Sequence, residues 1–186
     1  MLTVETPELR RQGLVERYFL RVLNWIKEEY RLTNSARIRS KAENGDARAQ
    51  YLLGSLCESG AGALQHLPEA VKWYQKAAFQ GVAQAQLALG LKYLHGQGVA
   101  QNDMEALLWL RKAGEQGQAE AQYQLGNLHR EGKGTPRDLL QASKWYRKAA
   151  ERGHLEAKRS FKELTSATWE VPEEASLPEQ GQHLAG

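Results

Sequence analysis

GVAQAQLALGLKYLHGQGVAQNDMEALLWLRKAGEQ, residues 81–116, is the middle of three copies of one 36-residue unit, preceded by GDARAQYLLGSLCESGAGALQHLPEAVKWYQKAAFQ at 45–80 and followed by GQAEAQYQLGNLHREGKGTPRDLLQASKWYRKAAER at 117–152, without insertion or deletion. A period of this length specifies supersecondary units that stack and bury their apolar faces against one another. Each copy opens on a glycine and then sets Ala85, Leu89 and Gly90, or their counterparts, on one face of a helix, where small residues admit a close neighbour. A Gly-x-Gly at Gly60/Gly62, Gly96/Gly98 and Gly132/Gly134 reverses the chain. A second helix carries Trp73, Trp109 or Trp145, and the next opening glycine ends it. We call the two helices of each repeat A and B.

The pattern resembles the Sel1-like repeat, a relative of the tetratricopeptide repeat. The resemblance rests on Ala85, Leu89-Gly90, Tyr93, Gly96-x-Gly98-Val99, Asp103, Trp109, Lys112 and Gly117, and on Trp73-Tyr74-x-Lys76-Ala77-Ala78 and Trp145-Tyr146-x-Lys148-Ala149-Ala150. Cys57 and His129 replace the family's tyrosine, Gly114 replaces an alanine and Ala63 a valine. The resemblance implies an all-α fold, a short right-handed α-solenoid of helix-turn-helix repeats with helical caps.

Three segments are expected: an N-terminal helical cap over 1–44, the repeats with a capping helix over 45–164, and a flexible acidic tail over 165–186. Val15, Tyr18, Phe19, Val22, Ile26 and Tyr30 form an apolar stripe on a helix from about Glu8 to Arg31. A shorter helix over about 35–44 resembles a degenerate helix B. Gly153-His154-Leu155-Glu156-Ala157 restarts the unit but continues with Phe161-Lys162 in place of Leu-Gly, which suits a terminal cap. The tail holds Pro172, Pro178, four glutamates and no Lys or Arg, too little apolar surface to offset its ordering.

The net charge is +3, and leaving out the four tail glutamates puts residues 1–164 at +7. That bias is too mild and too interrupted for a nucleic-acid partner: Arg10, Arg11, Arg17 and Arg21 alternate with Glu8 and Glu16. One cysteine, Cys57, permits no intramolecular disulfide and suits a reducing compartment. The first 21 residues lack the uncharged core of a signal peptide, and no stretch is apolar enough for a membrane span. The expected location is the cytoplasm of a bacterium, where the family is common.

No catalytic, metal or cofactor site is expected. Gly132-Lys133-Gly134-Thr135 departs from phosphate-loop spacing and recurs as a turn. Cys57 and His129 occupy one position two repeats apart, beyond the reach of a nucleophile and its base. The remaining histidines lack metal-ligand spacing. The tryptophans read as interhelical packing, and Asp103 and Asp138 as caps or dipole partners at the start of helix B.

The face of helix A turned away from its packing stripe holds Arg48, Tyr51, Ser55 and Glu58 in the first repeat, Gln84, Leu87, Leu91, Leu94 and His95 in the second, and Glu120, Tyr123, Asn127 and Arg130 in the third. Resemblance to tetratricopeptide-type arrays makes this the concave face, which holds peptides or partner proteins. The expected binding residues are Arg48, Tyr51, Glu58, Leu87, Leu91, Leu94, His95, Tyr123, Asn127 and Arg130. The chain thus reads as a non-enzymatic adaptor with a protein or peptide partner; a second copy of the chain or the N-terminal helix is the other candidate cover for the leucines. The alternative, an enzyme like secreted Sel1-like proteins that handle cell-wall or β-lactam compounds, lacks a signal sequence, disulfides and a Ser-x-x-Lys.

Overall fold

The computed structural model describes residues 34–60 and 65–167. The expected helix over 8–31, Gly62 and Ala63 of the first turn, and the tail from 168 onward lie outside these residues.

The described residues form helices only. Helix α1 (34–43) is followed by three A/B pairs: α2 (Ala47–Ser59) with α3 (Leu67–Phe79), α4 (Ala83–His95) with α5 (Asp103–Glu115), and α6 (Ala119–Glu131) with α7 (Leu139–Glu151). A last helix, α8 (Leu155–Ala167), stands in phase with the A helices. Each helix packs on the next in sequence from α2 to α8, the arrangement of an α-solenoid.

The helix ends explain the period. The residue before each B helix, His66, Asn102 or Asp138, caps it by accepting from backbone N–H groups two or three residues on. Its own N–H donates to the carbonyl of Cys57, Tyr93 or His129 at 2.9, 3.0 and 2.8 Å, which ties helix A to helix B. Both alternatives expected for the aspartates occur: Asp138 is a cap, and Asp103, the first helical residue, is an acidic partner of the helix dipole, while the cap in the second repeat is Asn102, in strict 36-residue phase. B helices end where Gly81, Gly117 and Gly153 turn left-handed at φ of 89, 89 and 86°.

Helices A and B of one repeat approach over glycine. A Cβ on Gly54, Gly90 or Gly126 would lie 2.7, 2.7 or 2.4 Å from the side chain of Tyr74, Leu110 or Tyr146. Successive repeats are joined by the tryptophans: Trp73 packs with Ala42, Ala49 and Leu53, Trp109 with Ala78, Ala85 and Leu89, and Trp145 against Ala113, Ala121 and Leu125. Trp73 and Trp109 donate Nε1–H to Glu69 and Glu105, and Lys76, Lys112 and Lys148 lie over the three rings at 4.1, 4.3 and 4.4 Å.

Gln50 faces inward as its place on helix A implies, but the ladder of buried glutamines that it begins was not foreseen from the sequence. Gln50, Gln86 and Gln122 donate to the carbonyls of Ala42, Ala78 and Gly114 in the helix before. Gln80 and Gln116 in turn donate to the side-chain oxygens of Gln50 and Gln86, at 2.7 Å each, and to the carbonyls of Gly45 and Gly81. In the third repeat Arg152 replaces that glutamine, and buried Gln122 Oε1 has no hydrogen-bond partner among the described residues. The signal was available: glutamine at one phase three times, inside an otherwise apolar stripe.

At the C-terminal end α8 runs three residues beyond the boundary expected at 164. Thr165 Oγ1 bonds back to the carbonyls of Phe161 and Lys162, and Ser166 Oγ to that of Glu163, which holds the last turn.

Candidate functional site

The A helices present their outer faces side by side, and the expected binding residues divide into three environments there. In the first repeat Tyr51 is half-buried with its ring 5.9 Å from that of Tyr74. Glu58 accepts from Tyr74 Oη–H at 2.6 Å and from Lys92 of the next A helix, whose ammonium also donates to Gln97. Burial pushes the Glu58 carboxyl up, but the hydrogen bonds from Lys92 and Tyr74 and the Lys92 charge outweigh it and hold it below the usual range. Burial, then the bond to Glu58, raises Tyr74 above an ordinary phenol. Glu58 is thus engaged internally, and Lys92, which the sequence reading did not single out, is a buried cation that locks α4 to α2.

In the second repeat Leu87, Leu91 and Leu94 are half-buried and lean on the core around Leu110 and Leu128. They form an apolar wall with only part of each side chain at the surface. His95, at the end of α4, is exposed.

In the third repeat Tyr123 is half-buried between two rings, Tyr146 at 5.8 Å and His154 stacked at 4.6 Å. A polar line runs along α6: Tyr146 Oη–H donates to Asn127 Oδ1 at 2.7 Å, Asn127 Nδ2 reaches Gln124, and Gln124 donates to Glu120. His154 Nδ1 accepts from the Ala157 N–H, which leaves Nε2–H to donate to Glu120 Oε2 at 3.0 Å. Tyr146 is pushed up to about 12, chiefly by burial.

Between α4 and α6 lies an open cleft of about 420 Å³ with Leu94 and Leu128 among its lining. His95, Gln101, Asn127 and Lys133 also border it. The structure therefore brings Leu94, His95 and Asn127 of the expected set into one site. Leu87 and Leu91 adjoin through the common core, whereas Arg48 lies at the other end, bordering a slot between α1 and α2, and Arg130, not itself part of the lining, pairs at 3.8 Å with Glu131, which is.

Cys57 packs against the core around Trp73 and Trp109, whereas His129 is buried in the third repeat. Burial, then Glu69, raises the Cys57 thiol, away from the thiolate a nucleophile needs. Burial and the Arg111 charge lower the His129 imidazole, and its Nδ1 has no partner among the described residues. Among the described residues no group of three His, Cys, Asp or Glu side chains could hold a metal ion, and no helix is long and apolar enough to cross a membrane.

No curated protein matches the chain. Among solved structures, c5321, a protective antigen of uropathogenic Escherichia coli with an SLR fold, is similar at 39% identity and a TM-score of 0.69 over 70% of this chain. The chain spans only 28% of the antigen's length. A Sel1 repeat protein from Oxalobacter formigenes aligns at 34% identity and a TM-score of 0.64, covering 69% of this chain and 96% of that one. Cysteine rich protein B of Helicobacter pylori, at 23% identity, a TM-score of 0.54 and coverage of 68% and 96%, shares the fold. Sel1 repeat proteins are generally protein-interaction scaffolds. The Sel1 repeat profile matches residues 47–82, 83–118 and 119–154, each match beginning on the first residue of an A helix, and the chain belongs to the Sel1 repeat family.

Proposed function

We propose that the chain is a non-enzymatic adaptor that holds a protein or peptide partner on the face formed by α2, α4 and α6, centred on the cleft between α4 and α6. One observation carries this reading. Positions that pack the repeats are constant among the three copies (Ala49/85/121, Gln50/86/122, Leu53/89/125), whereas the outward positions of the same helices change chemistry from copy to copy (Tyr51/Leu87/Tyr123, Ser55/Leu91/Asn127, Glu58/Leu94/Arg130). Packing accounts for the first set; recognition of a partner with its own apolar and polar segments accounts for the second.

The half-buried leucines refine how the partner is held. Leu87, Leu91 and Leu94 form an apolar backing; His95, Gln101, Asn127 and Lys133 supply polar contacts at the cleft. The bacterial sources of the similar structures and the lone Cys57 support placing the chain in a bacterial cytoplasm. We take 1–44 as the cap of one end, α8 as the cap of the other, and the residues beyond α8 as a tail.

The test is affinity capture from the source cell with the full chain as bait, against a variant carrying His95→Glu and Gln101→Arg. Both residues are exposed, so the variant should melt with the wild type and lose the partners that the wild type retains. A folded variant that retains every partner moves the site off the cleft.

A further inference from the structure

Leu52 is 43% exposed on α2, although the in-phase residues Ala88 and Gln124 of α4 and α6 are half-buried. Gln124 faces α4 across the cleft, so this phase is the side of an A helix that meets the A helix before it. At the same place on α2 the structure has a slot of about 240 Å³, lined by Ile38, Ala49 and Leu52 together with Arg37, Lys41 and Arg48. Asp46, which also borders it, accepts from the Ala49 N–H as the cap of α2. The slot has the position of a junction between A helices, with no helix described on one side.

We infer that this slot is filled by the chain's own residues 8–31, docked as a helix against α1 and α2. The stripe Val15, Phe19, Val22 and Ile26 needs an apolar cover, and the described chain begins at Asn34, itself part of the slot's lining. Twenty-four helical residues span roughly 36 Å, enough to run the whole length of α2. Charge favours this orientation. Wound at the helical repeat, Glu8 and Glu29 fall on the stripe's side of the helix and Arg11 is the one cation of the segment that does so, so the docked side carries a net negative charge toward the basic residues Arg37, Lys41 and Arg48. Arg10, Arg17, Arg21 and Arg31 fall on the opposite side, toward solvent. This helix would lengthen the outer face beside Arg48 and Tyr51 by one element. The inference rests on the reading of 1–44 as a cap and names where it docks; it is independent of the cleft, because the slot can be filled whether or not the cleft binds a partner.

Disulfide trapping in the full chain tests it. In a Cys57→Ser background, Leu52→Cys is combined in turn with Val15→Cys, Phe19→Cys or Val22→Cys, and with Arg17→Cys as the control on the far side. At least one stripe pair should close a bridge tenfold or more faster than the Arg17 pair, with the product of monomer mass. Bridged dimers in place of monomers would overturn the inference in favour of a second copy, and stripe pairs no faster than the control would overturn it outright. Hydrogen exchange on the unmodified chain needs no variant: amides from Val15 to Ile26 should exchange at least tenfold slower than an unstructured chain, and the absence of protection overturns the inference as well.

Discussion

The junction of the first and second repeats and the junction of the second and third share one backbone plan and differ in chemistry. In the first, Lys92 reaches from α4 to Glu58 and Gln97. In the second, the in-phase residues are Leu128, Leu94 and Lys133; Lys133 pairs with Glu131 at 2.8 Å instead of crossing the junction, and a cleft remains open. The same A helix is thus bound on one flank by an ion pair and left accessible on the other. In a repeat array, a site can be made by omitting a contact that a neighbouring copy makes, with no change of fold.

The largest effect should come from removing what both junctions have in common. Trp109→Ala should cost about 3–5 kcal/mol by chemical denaturation, since the buried indole joins the first repeat to the second. Trp145→Ala should cost clearly less because Trp145 is only half-buried, and equal losses would contradict the difference between the junctions.

The ion pair can then be converted. Lys92→Leu alone leaves Glu58 without its cation and should cost about 2 kcal/mol, while Lys92→Leu with Glu58→Leu installs the leucines of the second junction and should recover part of that loss, Tyr74 Oη–H giving up its acceptor. A double-mutant cycle showing no recovery would mean that the two junctions do not accept each other's chemistry.

Acid should weaken two places in turn, the third repeat around His129 and then the first junction. His129 is lowered in the folded chain, so the unfolded chain takes up its proton first, and stability declines as pH falls below about 6.5. Glu58 is lowered as well, so its contribution is present above the ordinary carboxylate range and is lost as pH falls below that range, through its lowered folded value. His129→Tyr, which installs the residue of the middle repeat, should remove the upper step from a stability-pH profile and leave the lower one.

The smallest effect tests the ladder. Arg152→Gln gives the third repeat the donor that Gln80 and Gln116 supply, and pairing Gln122 Oε1 should raise stability by about 0.5–1 kcal/mol. No gain would show that the Arg152 guanidinium already serves that oxygen in solution.

The fold was legible because its determinants repeat: a spacing that returns three times identifies helices, turns and packing stripes without reference to any distant contact. The single-occurrence interactions were harder to read. Lys92 looks like an ordinary surface lysine, and only the placement of Glu58 one repeat earlier makes it a buried partner. Likewise, Leu87 and Leu91 read as an exposed strip because helix A was treated alone; Leu110, in the place of Tyr74 and Tyr146, gives them a core to lean on. Asn102 was missed as a cap because Asp103 is the more conspicuous residue, although the phase of His66 and Asp138 identifies it.

The loops add a length constraint. A Cβ on Gly98 would lie 2.6 Å from the backbone of Leu67, and one on Gly134 would lie 2.4 Å from the Asp103 carbonyl oxygen, so each loop is pressed against the start of the preceding B helix. Together with the Gln116 bond to the Gly81 carbonyl, which closes a span of 35 residues, this makes the middle unit a gauge block. An extra residue at Gly98 or Gly134 has no room to bulge outward from one repeat without displacing another. Change in such a chain is channelled into substitutions on the outer face or into the gain and loss of whole units, and three copies of equal length are what that constraint leaves behind.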